Sequence, residues 1–147
     1  RRKVLELGIS QISGGSRTSV GGYATPEPTE ENSAQFDVSD TRTLDEVVNW
    51  LLDLGHIPSF CTACYRAGRT GDRFMSLVKS GQIANCCAPN ALMTLKEYLE
   101  DYATPDTRSK GIRLIREELA HIPNPRIKEI ATRNLEEIEA GKRDFRF

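Results

Sequence analysis

Histidine is scarce, with two residues in 147, and tryptophan occurs once. With only His56 and His121 available, a histidine-built metal site is excluded, as is the H-E-x-x-H helix of metalloproteases. No phosphate-binding glycine loop, Ser-His-Asp order or paired-carboxylate signature occurs, so phosphoryl transfer and triad hydrolysis have no support. Charge of one sign is also missing: 20 Lys and Arg stand against 21 Asp and Glu, a net charge of −1 that gives no reason to expect a nucleic-acid or anionic-membrane surface. Apolar runs are too short to span a bilayer. The start, Arg1-Arg2-Lys3 and then Val4-Leu5-Glu6-Leu7, lacks the apolar core of an export signal, which makes a cytoplasmic, reducing setting the expectation. There is no internal repeat.

What is present suits a globular chain with a modest core, 38% apolar and 28% charged. Val4 to Ile12, rich in Val, Leu and Ile with partial alternation, predicts a buried strand. It runs into Ser13-Gly14-Gly15-Ser16-Arg17 and Gly21-Gly22-Tyr23, a glycine-rich stretch that reads either as a surface loop or as backbone approaching a ligand closely. Ala34 to Val38 predicts a second short strand. Thr43 and Glu46 form a capping box ahead of a helix over residues 44–54 that Gly55 stops, its stripe being Leu44, Val47, Val48, Leu51 and Leu54. Strand, loop, strand and helix in this order predict an α/β class fold, with residues 1–55 as the tail of a larger parallel α/β domain.

Residues 56–147 are predicted to be mostly helical. Asp72 to Lys79 makes a short helix with Phe74, Met75, Leu77 and Val78 inward, and Asn90 caps a longer one carrying Leu92, Leu95, Leu99 and Tyr102. A third covers Thr107 to Leu119. Asn124-Pro125 opens a last helix that buries Ile127, Ile130, Ala131 and Ile138 and ends at Gly141.

All four cysteines, Cys61, Cys64, Cys86 and Cys87, fall within 27 consecutive residues. Cys61-Thr62-Ala63-Cys64 sets two sulfurs on one turn, a spacing that suits zinc or an iron-sulfur cluster. A third sulfur comes from Cys87 or Cys86 after an intervening helix. Neighbouring side chains diverge, so three ligands and one bystander are expected. Structural zinc needs four closed ligands, with His56 and His121 as the remaining candidates, whereas a cubane on three thiolates keeps one iron open. Buried free thiols or a redox pair are the remaining alternatives. Arg69, between Gly68 and Gly71 beside the thiolates, has a fork suited to a carboxylate or to sulfide charge.

The run from Pro58 to Met75, then Cys87 and Pro89-Asn90-Ala91-Leu92, resembles the C-terminal part of the radical SAM tyrosine lyases that mature [FeFe]-hydrogenase. Gly8 to Arg17 and Gly21-Gly22-Tyr23 are similar to the late barrel strands those enzymes share with the thiamine-pathway tyrosine lyase, 2-iminoacetate synthase. The resemblance implies that residues 1–55 are the last strands and helix of a radical SAM (TIM-type) barrel and residues 56–147 a helical auxiliary-cluster domain. It implies that Cys61, Cys64 and Cys87, as C-x2-C-x22-C, bind an auxiliary [4Fe-4S] cluster whose open corner takes an additional iron, that Arg69 assists this cofactor, and that Cys86 is dispensable. Ser16 and Arg17 correspond to the barrel mouth near the amino-acid substrate, where a guanidinium suits the tyrosine carboxylate. The implied activity cleaves tyrosine to p-cresol and dehydroglycine and yields CO and cyanide for the hydrogenase H-cluster, alongside other maturation proteins. No C-x3-C-x2-C motif for the cluster that binds S-adenosylmethionine is present, so this chain alone is expected not to cleave S-adenosylmethionine or tyrosine. The alternative is a zinc-stabilised helical binding or scaffold module.

Overall fold

The computed structural model describes residues 2–19, 21–24 and 40–147. They fall into two compact units, Arg1–Val47 and Val48–Phe147. Seven helices are present among the described residues: α1 (Arg2–Glu6), α2 (Leu44–Asp53), α3 (Ala63–Arg66), α4 (Asp72–Lys79), α5 (Ile83–Asp101), α6 (Pro105–Ala120) and α7 (Pro125–Glu139).

The α/β expectation fails for the described residues, which contain no β-strand and therefore no barrel strands. Where a strand was predicted over Val4 to Ile12, residues 2–6 turn as helix. Leu7 N–H and Gly8 N–H then donate to the Val4 and Leu5 carbonyls at 3.2 and 2.9 Å, and Gly8 takes a left-handed φ of 89°. Apolar β-formers make a strand only where a neighbour completes their hydrogen bonds and a layer covers one face. Neither is found here among the described residues, and Leu7 is 82% exposed. The second predicted strand, Ala34 to Val38, and the Pro26 to Asn32 connection lie outside the described residues.

The helical expectations fare better because their signals are local. At α2, the Thr43 N–H and hydroxyl both donate to Glu46 Oε2, at 2.7 and 2.9 Å, while Glu46 N–H donates to Thr43 Oγ1 at 3.3 Å. Two orphan donors of the first turn are thereby satisfied. At its far end Gly55 adopts φ 75°, which lets His56 N–H reach back to the Leu51 carbonyl at 2.9 Å. At α7, Asn124 Oδ1 accepts from Arg126 N–H and Ile127 N–H, with Pro125 at the first helical position.

The second unit is built around α5, which packs against both α6 and α7. Leu92, Met93, Leu95 and Leu99 of α5 are almost completely buried with Ile115 of α6 and with Ala131, Leu135 and Ile138 of α7. Gly111 of α6 is the closest approach, since a Cβ there would lie 2.5 Å from Leu99 Cδ1. Within this core the buried Lys96 is held by Glu100 at 2.7 Å and Glu139 at 3.0 Å, and Glu100 also binds Arg108 at 2.8 Å. Such pairing is what a buried ammonium requires.

Two details of packing depart from the periodicity. Tyr102 is 76% exposed although it extends the Leu92-Leu95-Leu99 face. In α4 no residue is buried: Phe74 and Leu77 are half-buried, while Met75 and Val78 face solvent. The larger correction concerns α5 itself, which does not start at Asn90 but runs from Ile83 straight through Pro89. Asn90 was expected to cap it, although a proline inside a helix removes a donor and clashes with the carbonyl four residues back. Here Pro89 is fully buried inside the helix and Asn85 is the residue four positions earlier.

Candidate metal centre

Cys61 closes an extended segment that is docked on α5. The Phe60 ring stacks on Tyr98 with centroids 5.1 Å apart, and Phe60 N–H donates to Thr94 Oγ1 at 3.2 Å. Cys64 rides on α3, a single turn anchored by the buried Ala63. Ala63 N–H donates to Cys61 Sγ at 3.4 Å, which fixes the first sulfur against the turn that carries the second. Cys86 and Cys87 sit in the first turns of α5, and α4 is the intervening helix that folds the chain back.

All four cysteines are free and half-buried. The Cys87 thiol is pushed up to about 11, first by burial, then by Cys86 through charge and a hydrogen bond, then by the charges of Cys64 and Cys61. Cys87 is therefore within electrostatic reach of the other three, and the fold gathers the two cysteine pairs into one locality. Cys86 is engaged with its own helix, its Sγ lying 3.7 Å from the Gln82 carbonyl and 3.8 Å from that of Ile83. No three His, Cys, Asp or Glu side chains among the described residues converge closely enough to hold a metal ion as they stand. Like-charged thiolates repel, and a cation is what would draw them together.

The donor set nonetheless suits an anionic metal group. Arg69 Nη2 donates to the Phe147 carbonyl at 3.2 Å, while its Nε is buried with no hydrogen-bond partner among the described residues. Buried donors rarely stay orphaned, so Nε points to an acceptor still to be supplied. The Arg69 backbone is tied to the cysteine turn through its N–H, which donates to the Cys64 carbonyl at 2.8 Å. Three thiols of C-x2-C-x22-C spacing and one orphan guanidinium N–H fit a cluster with thiolate and sulfide charge.

The histidines offer nothing comparable. His56 acts through its backbone at the end of α2, and His121, with its side chain 75% exposed, lies 3.7 Å from Glu118. Ser16 and Arg17 belong to the first unit, where Ser16 is half-buried, Arg17 is exposed, and Arg17 N–H donates to Tyr23 Oη at 3.1 Å. Sequence reasoning missed Asn90, Asp144 and Phe147. Asn90 was read as a cap, yet its buried Oδ1 accepts from Phe147 N–H at 2.9 Å. No local sequence signal announces a contact across 57 residues.

No protein-family model matches the chain, and no curated protein matches it. Its helical fold is that of a segment of a hydrogenase maturase. A solved structure it resembles is that of HydG, described as a maturase of the [FeFe]-hydrogenase, to which this chain is 49% identical with a TM-score of 0.89. The chain is thus a segment of a HydG-like protein: the match covers 99% of this chain and 31% of the HydG chain. No helix among the described residues is long and apolar enough to cross a membrane.

Proposed function

We propose that this chain is the auxiliary-cluster segment of a hydrogenase maturase, with Cys61, Cys64 and Cys87 as the thiolate ligands of a [4Fe-4S] cluster. The observation that carries the reading is Arg69 beside the C-x2-C turn: its N–H is bonded to the Cys64 carbonyl at 2.8 Å, and its buried Nε has no hydrogen-bond partner among the described residues. The relative named above supports a role in [FeFe]-hydrogenase maturation. The cluster, when bound, supplies an iron open to non-protein ligands and to an additional iron, because three thiolates leave one corner free. Arg69 donates its orphaned Nε–H toward the anionic group, and its backbone keeps the Cys64 turn closed. Cys86 remains a neighbour of the site, its thiol turned to its own helix carbonyls.

In the longer protein the reading extends to a cytoplasmic radical SAM carbon-carbon lyase. That enzyme carries a second [4Fe-4S] cluster with S-adenosylmethionine, cleaves tyrosine to p-cresol and dehydroglycine, and yields CO and cyanide for H-cluster assembly in company with other maturation proteins. Ser16 and Arg17 belong to its substrate-binding residues, the Arg17 guanidinium pairing with the amino-acid carboxylate in a two-pronged manner. Residues 1–55 hold this substrate loop and α2, and residues 56–147 carry the cluster.

The test is anaerobic reconstitution followed by iron, sulfide and EPR analysis of the chain and of four single Cys→Ala variants. About four irons per chain are expected, dependent on Cys61, Cys64 and Cys87 and indifferent to Cys86→Ala. A single tightly held zinc with no cubane signal would replace this reading with that of a zinc-stabilised scaffold.

A further inference from the structure

The segment that follows α7 touches both halves of the cysteine centre. On one side, Arg66, two residues after Cys64, pairs with the Asp144 carboxylate through both Nη atoms, the second at 3.0 Å. Arg69, five residues after Cys64, donates to the Phe147 carbonyl at 3.2 Å. On the other side, Asp144 N–H donates to Glu97 Oε1 of α5 at 2.7 Å, and Phe147 N–H donates to Asn90 Oδ1 of α5 at 2.9 Å. Asp144 and Phe147 thus each bond to both the Cys64 segment and α5. Asn90 is 3% exposed and lies three positions after Cys87, the spacing that sets two residues on one helix face. The Phe60 stack secures the start of the Cys61–Arg69 segment on α5, and the segment after α7 secures its end.

Two features make this arrangement more than surface pairing. Asp144 has φ 67°, a left-handed backbone that Asp and Asn accept far more readily than other side chains. Phe147 is also partly buried against the hydrophobic core, which fixes the position of the backbone whose N–H and carbonyl it offers. A single exposed ion pair contributes little, but five bonds in parallel, two of them to the packed Phe147, define a geometry.

We infer that residues 142–147 form a clasp that sets the separation between the Cys61–Cys64 turn and Cys87, so that Asp144 and Asn90 are positioning residues for the thiol centre. The inference rests on the cluster reading for its purpose, but the clasp itself exists without metal and is testable without it.

The experiment treats the reduced, metal-free chain with a short fluorogenic reagent that bridges two thiols, and maps the Cys61–Cys87 and Cys64–Cys87 crosslinks by peptide analysis. Asp144→Asn keeps the backbone conformation while removing the charge, and the double variant Asn90→Ala with Asp144→Asn opens both sides. Loss of roughly one net hydrogen bond's worth of closure shifts a closed population about fivefold, so crosslink yield is expected to fall about that much in the double variant and less in the single one. Asn124→Ala, which weakens α7 at its opposite end, is the control for general destabilisation and is expected to leave the yield unchanged. Equal yields in the double variant and the unaltered chain overturn the clasp, as does an equal fall in the control. Reconstitution of the same proteins separates the two readings. Clasp-dependent crosslinking with no iron uptake keeps the clasp and removes the cluster, whereas iron uptake with clasp-independent crosslinking does the reverse.

Discussion

Replacing Gly111 by alanine should destabilise the chain, although in an exposed helix the same change stabilises. The added Cβ would meet Leu99 Cδ1 at 2.5 Å and Cδ2 at 2.7 Å, and Leu99 is 1% exposed, so its side chain has nowhere to withdraw. Overpacking of this kind costs about 1–3 kcal/mol. Removing glycine from a helix interior returns about 1 kcal/mol. The net expectation is a loss of about 1 kcal/mol, which for a chain of this size lowers Tm by about 2–4 °C. Leu99→Ala alone costs about 2–5 kcal/mol by opening a cavity. In that background the new methyl enters the cavity and meets no δ-carbons, so Gly111→Ala should turn stabilising by about 1 kcal/mol. The coupling in the double-mutant cycle is then about 2 kcal/mol, read from urea unfolding followed by helical circular dichroism. Additivity within about 0.5 kcal/mol, or a stabilised Gly111→Ala single variant, would refute the claim that α5 and α6 meet at this contact.

Three further expectations follow from the same structure. Asn124→Ala removes the acceptor for two α7 amides and should cost about 1 kcal/mol, with Asn124→Asp retaining most of it; equal losses in both variants would deny the cap. Lys96→Ala leaves Glu100 and Glu139 without their shared ammonium, and although Arg108 still compensates Glu100 it should cost about 2 kcal/mol in urea unfolding, more than an exposed ion pair can account for. Acid should unfold the second unit early. Asp144 is held at about 2 by its hydrogen bond with Arg66, and Asp101 is lowered by its bond with Arg143. Burial alone would raise Glu100, but the bonds from Lys96 and Arg108 together bring it below its usual value. Folded values below unfolded ones mean stability that is complete above about pH 5 and lost as pH falls through the folded values. A urea midpoint that stays constant from neutral pH down to about pH 2.5 would contradict this.

The sequence was most legible where a few neighbouring residues decide the outcome. Thr43 with Glu46, Gly55, Asn124-Pro125 and Gly141 mark helix ends by satisfying or releasing backbone groups within a turn, and each stands where such chemistry puts it. The cysteine motif was legible for the same reason, as spacing on one turn. Val4 to Ile12 misled because β-forming side chains do not carry their own hydrogen-bond partners, and among the described residues none is provided. Asn90 misled because a residue type common at helix starts was taken as a cap, whereas the helix begins at Ile83 and runs through the buried Pro89. The Arg66–Asp144 and Arg69–Phe147 contacts span 78 residues, and no local pattern foretells which arginine meets which distant backbone.

The proline buried inside α5 has a consequence for how metal reaches the thiols. Without an N–H at Pro89, the Asn85 carbonyl loses its ordinary helical partner, so the turn bearing Cys86 and Cys87 is coupled to the rest of α5 by a weakened ladder. Beyond it, Leu92, Met93, Leu95 and Leu99 are locked into the core. The helix therefore has a slow-exchanging half and a fast-exchanging half, and amide protons before residue 89 should trade with solvent through local opening while those after it await global unfolding. On the proposed cluster reading, a centre held by the looser half would be loaded, emptied and loaded again while the bundle behind it stays folded.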